Sequence, residues 1–279
     1  MLTLYMIRMK KESPTVSRYR ERASTVITDA GDGPPVVFAH GMLMDRTLFN
    51  PQLAALSDNY RTISYDLRAR TDRYNESYNL EDLAADLNAL LDALHIESVV
   101  LAGISMGGFM ALRFAEHYPQ RVNGLVLINS MAEPHTEAER EEYSALAKRV
   151  LDEGVQSERI RHIARTKMFG ETTLEENHTI VDHWEKRWAT YPPESVYHAM
   201  HSWIDRSDYT HKLPNIEIPV LSIHGKENTV LAPKRTESML DTLPDARQTV
   251  VSAAGHSAPV EQPDEVTDAI REFLSEVVL

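Results

Sequence analysis

Apolar and polar positions alternate in blocks along this chain. Val36-Val37-Phe38-Ala39 is a continuous apolar run. The turn-forming Ala30-Gly31-Asp32-Gly33-Pro34-Pro35 precedes it and His40-Gly41 follows it. An uninterrupted apolar run of this length predicts a strand buried on both faces. Similar runs recur at residues 61–65, 98–102, 124–128, 219–223 and 248–251, and residues 24–28 form a further candidate. Between them the period changes. Leu80, Leu83, Leu87, Leu90, Leu91 and Leu94 share one helical face, with Asn79 placed to cap it. Residues 109–117 read as a helix that stops before Tyr118-Pro119, and Val266, Ile270, Phe273, Leu274 and Val277 mark a last helix. Strands alternating with helices predict an α/β fold: a mostly parallel central sheet with helices on both faces.

One stretch breaks the alternation. Residues 131–213 show helical patterns without a convincing strand, and hold all three tryptophans (Trp184, Trp188, Trp203) and seven of the twelve histidines. A helical insertion between two core strands folds over the strand ends, where α/β sheets bind ligands, so it is expected to form a cap. The expected organisation is an N-terminal extension over residues 1–22, a core from residues 23–130 and 214–279, and a helical cap over residues 131–213. The extension's basic residues follow its apolar ones, the reverse of a signal peptide.

Composition narrows the function classes. A formal charge of -13 argues against a nucleic-acid partner or an anionic membrane surface. The absence of cysteine excludes disulfides, thiolate nucleophiles and Cys-type zinc sites, and fits a cytoplasmic protein. No apolar run reaches the roughly 18 residues of a membrane span. His198 and His201, and His178 and His183, are close in sequence but lack a metal-ligand pattern, so no metal is expected.

The chemistry concentrates at Gly103-Ile104-Ser105-Met106-Gly107, which follows a predicted strand directly and precedes a helix. A tight strand–helix turn forces its serine into a strained conformation with the hydroxyl exposed, which makes Ser105 the candidate nucleophile. His256, in the loop after the last predicted strand, reaches the same sheet edge and is the candidate base. An oxyanion hole needs two N–H donors. Met106, after the nucleophile, and Met42, in the loop after the first long strand, are the candidates, with Leu43 next. His40, Gly41, Leu43 and Trp203 are expected against the substrate.

With His-Gly at a strand end, Gly-Ile-Ser-Met-Gly-Gly, Ala-Gly-His near the C-terminus and a helical insertion between them, the chain resembles the α/β-hydrolase superfamily. The resemblance runs from about residue 24 to the end. It is nearest to the esterase, enol-lactonase and haloperoxidase-like branch. Asp66-Leu67-Arg68 resembles that family's Asp-Leu-Arg-Gly-His-Gly loop, from which Ala69-Arg70-Thr71 departs. The resemblance implies a serine hydrolase that cleaves a small carboxylic ester or lactone through an acyl-enzyme without metal or organic cofactor, and leaves room for a homodimer. It also implies an aspartate three residues after Gly225, where this chain has Asn228. Four readings of that position stand, in this order. Asn228 replaces a natural aspartate. Glu227 takes the role in a different loop conformation. The acid comes from Glu133, beyond the preceding strand. The protein is a weak or non-catalytic member that binds a small ligand. C–C bond hydrolysis and haloperoxidase-like perhydrolysis are the alternative reactions on the same machinery.

Overall fold

The apolar runs form strands because both of their faces are covered. A computed structural model describes residues 26–277. The expected extension over residues 1–22, and Ser24 and Thr25 of the first expected strand, lie outside these. Within them the strands are β1 (Ile27–Ala30), β2 (Pro35–Ala39), β3 (Arg61–Tyr65), β4 (Val99–Ile104), β5 (Val122–Ile128), β6 (Val220–Gly225) and β7 (Ala246–Val251). They make one seven-stranded sheet in the order β1-β3-β2-β4-β5-β6-β7. β1 is antiparallel to β3 and every other pairing is parallel. All of β4 is buried, as a central strand requires, whereas β7 at the edge is largely half-exposed.

Two helix pairs cover the sheet. α1 (Asn50–Leu56) packs against the last helix, and α2 (Leu80–Ala93) packs against α3 (Met106–His117). Asn79 caps α2 as its position predicts: its side chain accepts the Asp82 N–H at 2.8 Å and the Asp82 carboxylate accepts the Asn79 N–H at 3.0 Å. Such a cap contributes about 1 kcal/mol. The helix expected from Phe109 begins three residues earlier, directly after Ser105.

Between β5 and β6 the chain makes α4 (Glu137–Glu153), α5 (Glu158–Met168), α6 (Glu171–Glu176), α7 (His178–Trp188) and α8 (Pro193–Ile204), with no strand among the described residues. This is the helical stretch that the sequence pattern separates from the core. α4 runs along α8, and Trp184 and Trp188 of α7 are almost wholly buried. The core then closes with α9 (Pro233–Thr242), the short α10 (Ala258–Glu261) and α11 (Pro263–Val277).

Strand order decides where ligands can enter. The chain leaves β2 for β3 on one side and returns to β4 on the other, with Ala39 in register with Gly103. Parallel sheets open a crevice at such a reversal, outside the carboxyl ends of the strands. His40-Gly41 follows β2 at this point and Ser105 follows β4.

Candidate active site

Ser105 has φ 52° and ψ -116°, a conformation rarely adopted by a residue with a side chain. Strain of this kind costs about 1–3 kcal/mol and needs external support. Here the Ser105 N–H donates to the Ile128 carbonyl and its own carbonyl accepts the Phe109 N–H, both at 2.9 Å. The flanking glycines are required by contact. A Cβ on Gly103 would lie 2.4 Å from the Gly107 carbonyl oxygen, and one on Gly107 would lie 2.3 Å from that of Ala39. The turn leaves Ser105 half-exposed between buried neighbours. It also places Ser105 at the start of α3, whose first N–H groups lack helical acceptors and favour negative charge.

Ser105 opens on a cavity of about 530 Å³ whose walls include Met42, Leu43, Phe109, Trp203 and His256. Loops that follow strands of the sheet and the helical insertion both line it, through Met42 and His256 on one side and Met168, Met200 and Trp203 on the other. Met106 is buried at the base of the turn, with its sulfur 3.5 Å from the Ser202 hydroxyl. Trp203 packs edge-on against His135 and Tyr143, at ring separations of 5.2 and 5.1 Å. Burial, then the Arg206 guanidinium, lowers the pKa of His135 and keeps it neutral.

His40 and Gly41 take a different place from the one expected. Neither is among the cavity-lining residues. His40 is buried with both ring nitrogens engaged: Nδ1–H donates to the Gly41 carbonyl at 2.8 Å and Nε2 accepts the Leu67 N–H at 3.0 Å. That arrangement fixes a neutral tautomer and ties the β2 loop to the β3 loop, leaving no ring nitrogen for a ligand. Gly41 packs against the Ser105 turn, where an added Cβ would stand 3.3 Å from that of Ser105.

His256 Nδ1 lies 3.3 Å from Asn228 Oδ1, which also accepts the Val230 N–H at 3.0 Å. Asn228 Nδ2 is buried and has no hydrogen-bond partner among the described residues. The two rival carboxylates are engaged elsewhere. Glu227 accepts the Thr172 N–H at 2.9 Å and its hydroxyl at 2.5 Å, at the start of α6. Glu133 stands 3.6 Å from Arg235. With no carboxylate at its Nδ1, His256 is pushed down to about 4, by burial first and by the neighbouring His224 second.

Two residues that the sequence reading did not single out hold the His256 loop. Asn129, at φ 44° just beyond β5, donates from Nδ2 to the carbonyls of Gly255 and His256 and accepts the Gly225 N–H on Oδ1. Buried Glu261 accepts the Gly255 and Ser257 N–H groups on one oxygen, and the Gly170 N–H and Thr173 hydroxyl on the other. Burial raises its pKa, and these four donors oppose the rise. The signal for Asn129 was its place at a strand end; Glu261 gave none, because two of its partners lie about 90 residues away in the insertion and the other two are backbone N–H groups of an irregular loop.

The strained strand–helix turn of Ser105 and the His256 loop face one cavity at the edge of the α/β sheet, and known relatives supply the class. The family model of the alpha/beta hydrolase fold matches residues 34–263. The chain belongs to that family and is a hydrolase of the α/β type. It is similar to 3-oxoadipate enol-lactonase 1 of Acinetobacter baylyi, with 27% identity over 94% of this chain and 96% of the relative. A thermophilic esterase from Thermogutta terrifontis, solved with malate bound, is 33% identical over 91% of this chain and 93% of that one, at a TM-score of 0.85. The enol-lactonase from Burkholderia xenovorans LB400, at 22% identity, covers 89% of this chain and 95% of its own with a TM-score of 0.81, and shares the fold. No helix among the described residues is long and apolar enough to cross a membrane.

Proposed function

We propose that this chain hydrolyses small carboxylic esters or lactones through an acyl-enzyme on Ser105. The observation that carries this reading is the strained Ser105 turn, which opens on the same apolar cavity as His256. Ser105 Oγ attacks the carbonyl carbon and its proton passes to His256. The Met42 and Met106 N–H groups hold the oxyanion. His256 returns the proton to the departing alkoxide oxygen. Water then attacks the acyl-serine, gives its proton to His256, and releases the acid and the free serine. In a lactone the alcohol and acid ends remain joined in one product. Every proton returns, so the cycle calls for no metal or redox cofactor.

Asn228 occupies the acid position in this scheme. Its Oδ1 can accept the Nδ1–H bond that turns the base toward Ser105, but a neutral amide does not stabilise the imidazolium. The chain is therefore a slow form of the enzyme. The insertion over residues 131–213 acts as the cap, and its apolar wall receives the acyl group. A cysteine-free chain needs no oxidising compartment, and we assign it to the cytoplasm. The test is hydrolysis of a p-nitrophenyl ester panel by the parent and by Ser105→Ala, both shown to be folded by circular dichroism. Loss of turnover in the variant is expected. Equal turnover in both would contradict the assignment.

A further inference from the structure

The loop that carries Met42 holds a second strained residue. Leu43 has φ 59°. The Met44 N–H reaches back to the Gly41 carbonyl at 3.4 Å, so Met42 and Leu43 are the central pair of a tight turn with positive φ at its third residue. That position ordinarily belongs to glycine. A leucine there relaxes to negative φ unless something outside the turn prevents it. Relaxation would change φ of Leu43 and ψ of Met42, turn over the peptide between them, and unsettle the loop that carries the Met42 N–H beside the cavity.

What prevents it comes largely from the insertion. The Leu43 carbonyl accepts the indole N–H of Trp188 at 2.6 Å, and Trp188, the last residue of α7, is wholly buried. The next carbonyl, of Met44, accepts Arg70 Nε at 3.1 Å. The carboxylate of Asp45 follows, accepting Arg187 Nε at 2.8 Å and the Tyr191 hydroxyl at 2.9 Å. Three successive acceptors are thus held from outside, the first and third by the end of α7 and the residues after it. The Trp188 bond acts on the strained residue itself, and the ring stacks on Phe169 at 6.0 Å, which fixes its direction.

We infer that Trp188 is a positioning residue: by binding the Leu43 carbonyl it keeps the turn in the form that presents the oxyanion-hole amide. This rests on the serine-hydrolase reading above. It makes the insertion part of the transition-state machinery as well as a wall of the pocket.

The test compares the parent with Trp188→Phe and with Trp188→Phe/Leu43→Gly. Phenylalanine keeps most of the ring but removes the N–H; glycine accepts positive φ without strain. Each folded protein is assayed for kcat and KM on one p-nitrophenyl ester, and amide exchange is followed at residues 42–44. Removing an oxyanion donor outright costs about 10²–10³ in turnover, so a loosened one should cost about tenfold or more in kcat with KM little changed. Exchange at residues 42–44 should quicken, and Leu43→Gly should recover part of the lost kcat, which a packing role would not produce. An active parent with a Trp188→Phe kcat within about twofold, or a loss that Leu43→Gly leaves untouched, overturns the inference. A parent that neither turns over esters nor reacts with a fluorophosphonate overturns the hydrolase reading beneath it, and the inference with it.

Discussion

Asn228 turns Oδ1 toward His256 Nδ1 at 3.3 Å and buries Nδ2 against no partner among the described residues. An aspartate would place a second oxygen where that amide now lies, with almost no change in volume, and would add one negative charge beside the imidazole. Asn228→Asp should therefore raise kcat at least about tenfold, with KM little altered, because the charge acts on the imidazolium of the transition state. Glu227→Gln and Glu133→Gln should leave turnover nearly unchanged, since Thr172 and Arg235 hold those carboxylates. Steady-state kinetics on one ester decides the matter. A silent Asn228→Asp beside an inactive Glu227→Gln or Glu133→Gln would move the acid.

The same substitution should move a pH limb in a defined direction. The base works as neutral imidazole, and His256 is pushed down to about 4 by burial and by His224. The acidic limb of kcat/KM in the parent should thus fall near pH 4. A carboxylate at position 228 stabilises the protonated ring, so the limb should move upward. An unmoved limb in a faster Asn228→Asp enzyme would place the gain elsewhere than at His256.

Trp203 should govern which acyl groups are accepted. It lines the cavity from the insertion, with its ring braced by His135 and Tyr143. Trp203→Ala should shift the ranking of p-nitrophenyl esters toward longer or bulkier acyl chains. A drop in melting temperature with the ranking unchanged would assign it to packing alone.

Glu261→Gln should weaken both the fold and the reaction. In either orientation of the new amide at least one buried N–H loses its acceptor, worth about 1–3 kcal/mol in urea unfolding. The His256 loop is held by those bonds, so kcat should fall more than KM rises. Unchanged stability would mean that water replaces the carboxylate at no loss.

The sequence announced the fold through period and turn chemistry. β2 to β7 lie within about two residues of the apolar runs, and Asn79 caps α2 as its spacing requires. The strained turn at Ser105 was legible because its glycines report on local geometry. What escaped was the support, which is set by distant packing. His40 looked like a ligand contact because it ends a strand at the right edge, but its nitrogens serve Gly41 and Leu67. Glu261 ties the nearby His256 loop to Gly170 and Thr173, about 90 residues away, and Trp188 acts across 145 residues on the Leu43 carbonyl, with no periodicity to point to either.

The most direct test of the account is covalent. Incubating the parent and Ser105→Ala with a fluorophosphonate, then mapping the adduct by peptide mass spectrometry, asks whether His256 and the surrounding N–H groups activate this one hydroxyl. The account predicts a single phosphonyl group on the Ser105 peptide of the parent, formed faster in Asn228→Asp and absent from Ser105→Ala. An unlabelled Ser105 in folded parent and folded Asn228→Asp alike would contradict it.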